Sequence, residues 1–434
     1  MNLTLLAIGG IIVFLILIFL GMNIGLALMV VGMTGYALAV SPAAALGVLR
    51  TLPATQAGSY SLMVIPLFIL MGNLACESGL NDGLYDCCSK LLSRLPGALC
   101  CATIVACAGF GAICGSCAAT AATMGTIAVP VMKKYRYSDS LSCGSVAMGG
   151  TLGVMIPPST PMILIAIMSE ASIGELFAAG ILPGIMIVIL CIFTIIIVVK
   201  MNPGSAPAPS RYTWKERVRS LKGLIGIVVL FGIVLGGMFS GFFSVSQASA
   251  VGVAVAIIIM VIKKRFTWRA FKNAIFNSVK TMAMTFLIVI GAAVFCNFLA
   301  ITNLPADLAS AIASMQVSKY VILLIMTLIY LFLGCIMDEL PMIMMTVPIF
   351  LPIILSLGWS KAWFAVYVVM CMELGAITPP VGLNCFIISG IAKDVKLFDI
   401  YKGALPFVIT LAVAIVLIAV FPDIATFLPS LFYG

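Results

Sequence analysis

The chain contains no histidine in 434 residues. That removes the commonest transition-metal ligand and the side chain best suited to moving protons near neutral pH. Charge is scarce as well: Asp, Glu, Lys and Arg make up 9% of the residues against 63% hydrophobic, with a mean hydropathy of +1.27. Such a balance excludes a soluble globular domain. An intramembrane enzyme would need a nucleophile or metal set, and the usual ones cannot be assembled without histidine. No basic segment precedes the apolar run 3–20, which passes directly into a second run, so no cleavable signal peptide is expected.

Cysteine, by contrast, is plentiful, at 14 residues. Most of them sit inside apolar runs, so Cys100, Cys101, Cys107 and Cys191 read as small buried hydrophobes. Cys114-Gly-Ser-Cys117 spells a C-x-x-C, but no second ligand pair or thioredoxin-like pattern accompanies it.

What is present is a set of membrane-length apolar runs, two of them interrupted in nearly the same way. One reads Gly153-Val-Met-Ile-Pro157-Pro158-Ser159-Thr160. The other, 222 residues later, reads Gly375-Ala-Ile-Thr378-Pro379-Pro380-Val-Gly382. A Pro-Pro step removes backbone donors and disfavours the α conformation before it. Inside lipid such a break is tolerated only where protein or a water-filled cavity satisfies the stranded backbone. Paired breaks in corresponding places point to a transporter binding site at the bilayer midplane.

Full spans are predicted at roughly 3–20, 22–40, 60–76, 140–168, 176–200, 223–240, 247–262, 281–300, 362–390 and 404–428. Two further stretches, 97–132 and 319–357, are too long for one span and are divided by the knots Gly111–Thr120 and Gly334–Pro341. With arms of about 15–18 residues, both read as re-entrant helical hairpins with tips near mid-membrane. Ordinary antiparallel spans with a tight loop are the alternative.

The segments 78–96, 133–139, 200–222, 263–280 and 391–402 hold 20 of the 23 Lys and Arg, leaving Arg50, Lys319 and Lys361 on the other side. By the positive-inside rule those five segments are cytoplasmic loops and both termini lie outside. They also account for the net charge of +9, so no nucleic-acid partner is called for.

The order of elements then repeats. Each half has two spans, one span, an amphipathic segment (Asn81–Pro96, Leu304–Met315), a hairpin, a broken helix and a closing span. Five full spans per half is an odd number, so the halves have opposite orientations. The expected fold is an all-α polytopic membrane protein with an inverted-topology repeat, about ten spanning helices and two re-entrant hairpins. Its expected divisions are 1–58 (scaffold helices), 59–96 (span and amphipathic arm), 97–200 (hairpin, broken helix, closing span) and 201–222 (basic cytoplasmic linker, with Pro203, Pro207 and Pro209). The second half follows as 223–280 (scaffold helices), 281–318 (span and arm) and 319–434 (hairpin, broken helix, closing span).

Gly115-Ser-Cys-Ala-Ala-Thr120, Gly149-Gly-Thr-Leu-Gly153 running into Pro157-Pro158-Ser159, Met337-Asp338-Glu339, and Glu373-Leu-Gly375 running into Thr378-Pro379-Pro380-Val-Gly382 resemble the large membrane subunit (DctM/SiaM type) of TRAP transporters. The resemblance covers essentially the whole chain. It implies a sodium-driven tripartite importer of organic anions in a bacterial inner membrane, working as an elevator. Its partners would be a small four-helix membrane subunit and an extracytoplasmic substrate-binding protein. Sialic acid and C4-dicarboxylates are both compatible cargo. One departure is visible: Cys114 and Cys117 stand where the family's first hairpin tip is often serine-rich, so a cation there would meet backbone carbonyls rather than side chains.

The chemistry of the breaks leads to the same place. The predicted core holds no Lys or Arg, so positive potential for a carboxylate comes from unpaired N–H groups at hairpin tips and helix restarts. Exposed carbonyls, hydroxyls and carboxylates suit a hard cation, and at least two Na⁺ are expected. Gly115, Ser116, Gly153 and Pro158 are candidates for a first cation site. Gly334, Asp338, Gly375, Thr378 and Pro380 are candidates for a second. Asp338 carries the most weight, because an intramembrane carboxylate is costly and functional by default; a solvated loop acid is its alternative. Glu339 is read as water-facing or functional, and Glu373 as functional or as a hydrogen-bonded brace. Ser159, Thr160 and Asn384 are candidate substrate contacts, or else satisfy freed backbone. The rival function is a self-sufficient sodium–dicarboxylate or citrate carrier; a channel would not need the inverted pair of broken helices.

Overall fold

The computed structural model describes residues 3–208, 212–314 and 317–433. Pro209 of the linker and Met315 of the second amphipathic segment fall outside them. The described residues are helical almost throughout. The first half runs α1 Leu3–Phe19, α2 Ile24–Ala39, α3 Pro42–Ala57, α4 Val64–Glu77, α5 Leu80–Leu91, α6 Ala98–Cys114, α7 Cys117–Lys134, α8 Asp139–Thr151, α9 Thr160–Met168 and α10 Ile173–Met201. After the linker helix α11 Trp214–Ser220, the second half runs α12 Ile225–Phe239, α13 Val245–Ile262, α14 Trp268–Ile301, α15 Leu304–Ser314, α16 Lys319–Ile336, α17 Glu339–Ser356, α18 Lys361–Ala376, α19 Leu383–Ile391, α20 Leu397–Val420 and α21 Asp423–Tyr433.

The repeat is plain in the packing. Helix α1 packs on α2 as α12 packs on α13, while α2 lies along α14 and α13 lies along its counterpart α4, so the two halves interlock. Helix α9 touches α17 and α19 touches α7: each broken helix meets the hairpin of the other half.

Helix α10 shows why the exterior is apolar. Ile185, Ile189, Phe193 and Ile197 are exposed at a spacing of four, while Ile187, Cys191, Ile195 and Val199 are buried on the opposite stripe. In water an exposed face of that size would be an association site; in a membrane it is the lipid-facing surface. Inside, α18 is buried on all sides, with Trp359, Trp363 and Tyr367 stacked at ring separations of 4.7 and 5.2 Å. Two of the three are anchored by hydrogen bonds: Trp363 Nε1 donates to Ile418 O at 2.8 Å, and the Tyr367 hydroxyl donates to Leu323 O at 3.0 Å.

Both helix interruptions are where the prolines predict them. Residues 152–159 separate α8 from α9, and 377–382 separate α18 from α19. The hairpin arms are 17 or 18 residues long, or about 27 Å at 1.5 Å per residue, just short of the hydrocarbon thickness.

Four details differ from the sequence reading. Helix α3 occupies residues assigned to no span. Helix α14 begins at Trp268, 13 residues before the expected 281, so most of the loop 263–280 is helix. Its Arg269, Lys272 and Lys280 make this stretch look like a loop, whereas they are surface charges on a helix extending out of the apolar layer. Helix α20 likewise starts at Leu397, within the loop 391–402, and the span expected at 404–428 is divided at Phe421-Pro422 into α20 and α21.

Candidate functional site

The first hairpin turns at Gly115, whose φ of +64° is the left-handed conformation that glycine adopts without penalty. Its N–H donates to Gly111 O at 2.6 Å, closing α6. The turn lies against the first break. A Cβ on Gly115 would stand 3.2 Å from Pro158 O and 3.5 Å from Thr160 Oγ1. A Cβ on Gly153 would stand 2.7 Å from Thr120 Oγ1 and 3.0 Å from Ser116 O. Gly115, Ser116, Gly153 and Pro158 are thus gathered in one place, with the Ser116 and Pro158 carbonyls among them.

The approach is this close because a glycine faces a glycine: a Cβ on Gly111 would come within 2.2 Å of Gly153 Cα. The second half repeats the device 223 and 222 residues on. A Cβ on Gly375 would lie 2.6 Å from Gly334 Cα. The Cys335 thiol donates to Pro379 O at 3.2 Å, tying the second hairpin to the second break.

Asp338 is the N-cap of α17, its carboxylate accepting from Glu339 N at 2.9 Å. Thr378 donates to Leu374 O at 2.6 Å, within the end of α18. The Tyr401 hydroxyl on α20 lies 2.6 Å from Val381 O and 2.9 Å from Pro380 O, and donates to one or the other.

Four of the candidates meet in one cavity. A space of about 370 Å³ is lined by Gly115, Ser116, Thr160 and Asp338, together with Ala119, Glu339 and Leu340. The opposite wall is made by Asn23, Ile69, Gly72 and Asn73 near or on α2 and α4, and by Thr281, Met284, Thr285 and Ile288 on α14. The lining holds two carboxylates, Asp338 and Glu339, and among the described residues no Lys or Arg.

Three helices start here. Ser116 caps α7 without a side-chain hydrogen bond of its own, and the first amide of α7, Cys117 N–H, is taken up by the Glu339 carboxylate. Helices α9 and α17 begin at Thr160 and Glu339. Helix starts carry partial positive charge and spare N–H donors.

The remaining candidates do not line this cavity. Ser159 is fully buried, and its hydroxyl accepts from Met162 N at 3.3 Å as the N-cap of α9. Asn384 is buried on α19 and donates to Ala147 O at 3.1 Å, joining the second broken helix to the first. Glu373 is fully buried on α18, and neither carboxylate oxygen has a hydrogen-bond partner among the described residues; the brace reading is not what the structure shows. Sequence reasoning missed the α14 wall. Its signal was Thr281 and Thr285 at a spacing of four within the span expected at 281–300.

Outside the membrane-spanning segments, Lys133 at the end of α7 pairs with Asp394, which follows α19, and with Asp139 at 3.7 Å. The hydrogen bond from Lys133 holds the Asp394 carboxyl below the usual carboxylate range. The end of the first hairpin is thereby tied to the second broken helix at the surface.

Comparison with known proteins completes the picture. A family model described as the DctM component of tripartite ATP-independent periplasmic transporters matches residues 11–424. The C4-dicarboxylate TRAP transporter large permease protein DctM of Pseudomonas aeruginosa is 31% identical over 372 residues, 86% of this chain and 86% of that one. The sialic acid TRAP transporter large permease protein SiaM of Vibrio cholerae is 29% identical over 429 residues, 98% and 99% of the two chains. Among solved structures, the YdaH transporter of Alcanivorax borkumensis, described as having an unusual topology, superposes with a TM-score of 0.61. It covers 99% of this chain and 98% of that one at 14% identity, a likeness of fold alone.

Proposed function

Because the chain belongs to the DctM component family of tripartite ATP-independent periplasmic transporters, we propose that it imports an organic anion across the inner membrane by sodium symport. It is a multi-pass transporter subunit and not an enzyme. The observation that carries the sodium reading is the charge balance of the cavity beneath the hairpin tips.

Asp338 and Glu339 bring two carboxylates whose negative charge needs a cation beside it in so apolar a site, and a carboxylate substrate adds a third. Three helix starts supply roughly half a charge each, about 1.5 in all, and are screened where water reaches them. The lining holds no Lys or Arg, so the loaded site needs about two cations before an anion can bind. Backbone carbonyls at Ser116 and Pro158 and the Asp338 carboxylate are the hard oxygen donors that Na⁺ prefers over softer ligands. Gly115, Ser116, Gly153 and Pro158 form the first cation site in this reading. Gly334, Asp338, Gly375, Thr378 and Pro380 form the second. The substrate carboxylate then meets Thr160, with Ser159 and Asn384 supporting the two broken helices.

Residues 97–168 and 319–390 travel as one body against the paired helices of 3–40 and 223–262, which carry the interface with a small four-helix membrane subunit. Bound cations offset the charge of Asp338, Glu339 and the anion, so the loaded body crosses the apolar layer more cheaply than a half-loaded one. The basic loops face the cytoplasm and both termini face outward. An extracytoplasmic binding protein delivers the anion. The cargo printed for relatives, C4-dicarboxylates, sialic acid and isethionate, supports a small hydrophilic organic anion as the class.

The test is reconstitution in liposomes with the small subunit, with and without the cognate binding protein. Uptake that requires the binding protein supports the tripartite reading. Equal uptake without it would make the chain a self-sufficient carrier.

A further inference from the structure

A second cavity lies directly below the first. It measures about 400 Å³ and is lined by Asn73, Cys76, Glu77, Gly79, Thr123, Arg265, Ala274 and Asn277. The two cavities share Asn73 and follow the same three helices. Along α4 the lining steps Ile69, Asn73, Glu77; along α14 it steps Thr285, Thr281, Asn277; along α7 it steps Ala119, Thr123. Each step is three or four residues, which keeps one face of each helix turned to the same space. From Ile288 to Ala274 the lining covers 14 residues of α14, about 21 Å at 1.5 Å per residue. That is the distance from mid-membrane to beyond one edge of the hydrocarbon layer. The Asn73 side chain donates to Ser278 Oγ at 2.9 Å, fixing α4 to α14 at the waist of this lane.

We infer that this lane is the cytoplasmic release route of the transported anion, with Arg265 as its electropositive end station. The inference deepens the proposed function and rests on it. The upper cavity has no basic residue among those described, whereas the lower one has Arg265, on the short segment between α13 and α14 that also carries Lys263 and Lys264. An anion leaving Asp338 and Glu339 therefore moves down a gradient of rising positive potential, passing amides and hydroxyls of Asn73, Thr281, Thr123 and Asn277 that replace its hydration. Glu77 faces the same lower space. Its negative charge moderates the attraction, so that the anion is released to the cytoplasm rather than held.

Two measurements test this in proteoliposomes containing the assembled transporter. The first is substrate counterflow on Arg265→Gln. The KM for anion presented from the cytoplasmic face should rise about tenfold, as expected for losing a charge-assisted contact, while the Na⁺ half-saturation at the outer face stays unchanged and Arg265→Lys recovers most of the loss. An unchanged internal KM overturns the inference. The second holds even if Arg265→Gln does not assemble. In a transport-active background with the native cysteines replaced, Asn277→Cys is exposed to a membrane-impermeant anionic thiol reagent from either side. Labelling from the cytoplasmic side, slowed by internal C4-dicarboxylate, is expected; labelling only from outside, or labelling indifferent to the anion, refutes the lane. Absence of sodium-driven uptake by the unmodified transporter in the same liposomes would instead refute the underlying function.

Discussion

Adding one methyl group at Gly375 should uncouple the second hairpin from its break. A Cβ there meets Gly334 Cα at 2.6 Å, Gly334 C at 2.7 Å and Cys335 N at 3.2 Å, all backbone atoms of α16. Backbone cannot rotate away as a side-chain tip can, so α16 and α18 must separate by about 1 Å to restore ordinary contact, at a cost of roughly 1–3 kcal/mol for overpacking. Helix α16 leads directly into Asp338 and α18 leads into Thr378 and Pro380, so the separation spreads the second cation site. Gly375→Ala should therefore raise the Na⁺ half-saturation of transport at least about fivefold, near 1 kcal/mol. Gly334→Ala is the internal comparison: its Cβ meets Gly375 Cα at 3.1 Å and nothing else closer than 3.7 Å, so it should do less harm. Gly9→Ala has nothing within 4 Å and should be silent. The assay is initial uptake against Na⁺ concentration in proteoliposomes. A wild-type Na⁺ dependence for Gly375→Ala, or greater damage from Gly334→Ala, would refute the reasoning.

Asp338→Asn should lower transport by at least about tenfold, or roughly 1.4 kcal/mol, and abolish any rise in melting temperature caused by Na⁺ over K⁺, while the protein inserts and purifies normally; wild-type rates would return Asp338 to a solvated acid. Cysteines at Ala119 and Met284, on opposite walls of the cavity, should crosslink in a background cleared of native cysteines and stop transport until reductant is added; full transport while crosslinked would leave only local gating at the hairpin tips. The Lys133–Asp394 bridge sets a pH expectation. A carboxyl held below its unfolded value stabilises above that value and loses this stabilisation as pH falls through the folded one. The stabilisation that Asp394→Asn removes should therefore be constant from about pH 8 to about pH 5 and fade only below about pH 4; a bridge contribution that disappears near pH 6.5 would contradict this.

The parts of the fold legible in the sequence are those with local causes. Pro157-Pro158 and Pro379-Pro380 cannot continue a helix, and their placement after membrane-length runs located both breaks and, through their 222-residue spacing, the repeat. Asp338, Gly115, Ser116 and Thr160 were identifiable because a carboxylate, a left-handed glycine and helix starts in apolar surroundings each have few other uses. The less legible features depend on partners distant in the chain. Gly334 and Gly375 are recognisable glycines, but that each is opposite the other is a tertiary fact. Ser159 was read as a substrate contact or as a residue that satisfies freed backbone; it accepts from Met162 N as the N-cap of α9, a role set by where the helix restarts. The α14 wall residues Thr281, Met284, Thr285 and Ile288 lie within the span expected at 281–300, but that this face meets the hairpin tips is again a tertiary fact. Helix α3 was missed because Pro53 and a modest apolar content gave it no clear membrane period.

The central claim is that cations at the paired hairpin tips draw an organic anion inward. Its most direct measurement is initial uptake by proteoliposomes holding the assembled transporter and its binding protein, under an imposed Na⁺ gradient and, separately, under a pH gradient in sodium-free buffer. The account predicts uptake only with the Na⁺ gradient, with at least two Na⁺ per anion and acceleration by an inside-negative potential. Equal uptake under the pH gradient without sodium would contradict it.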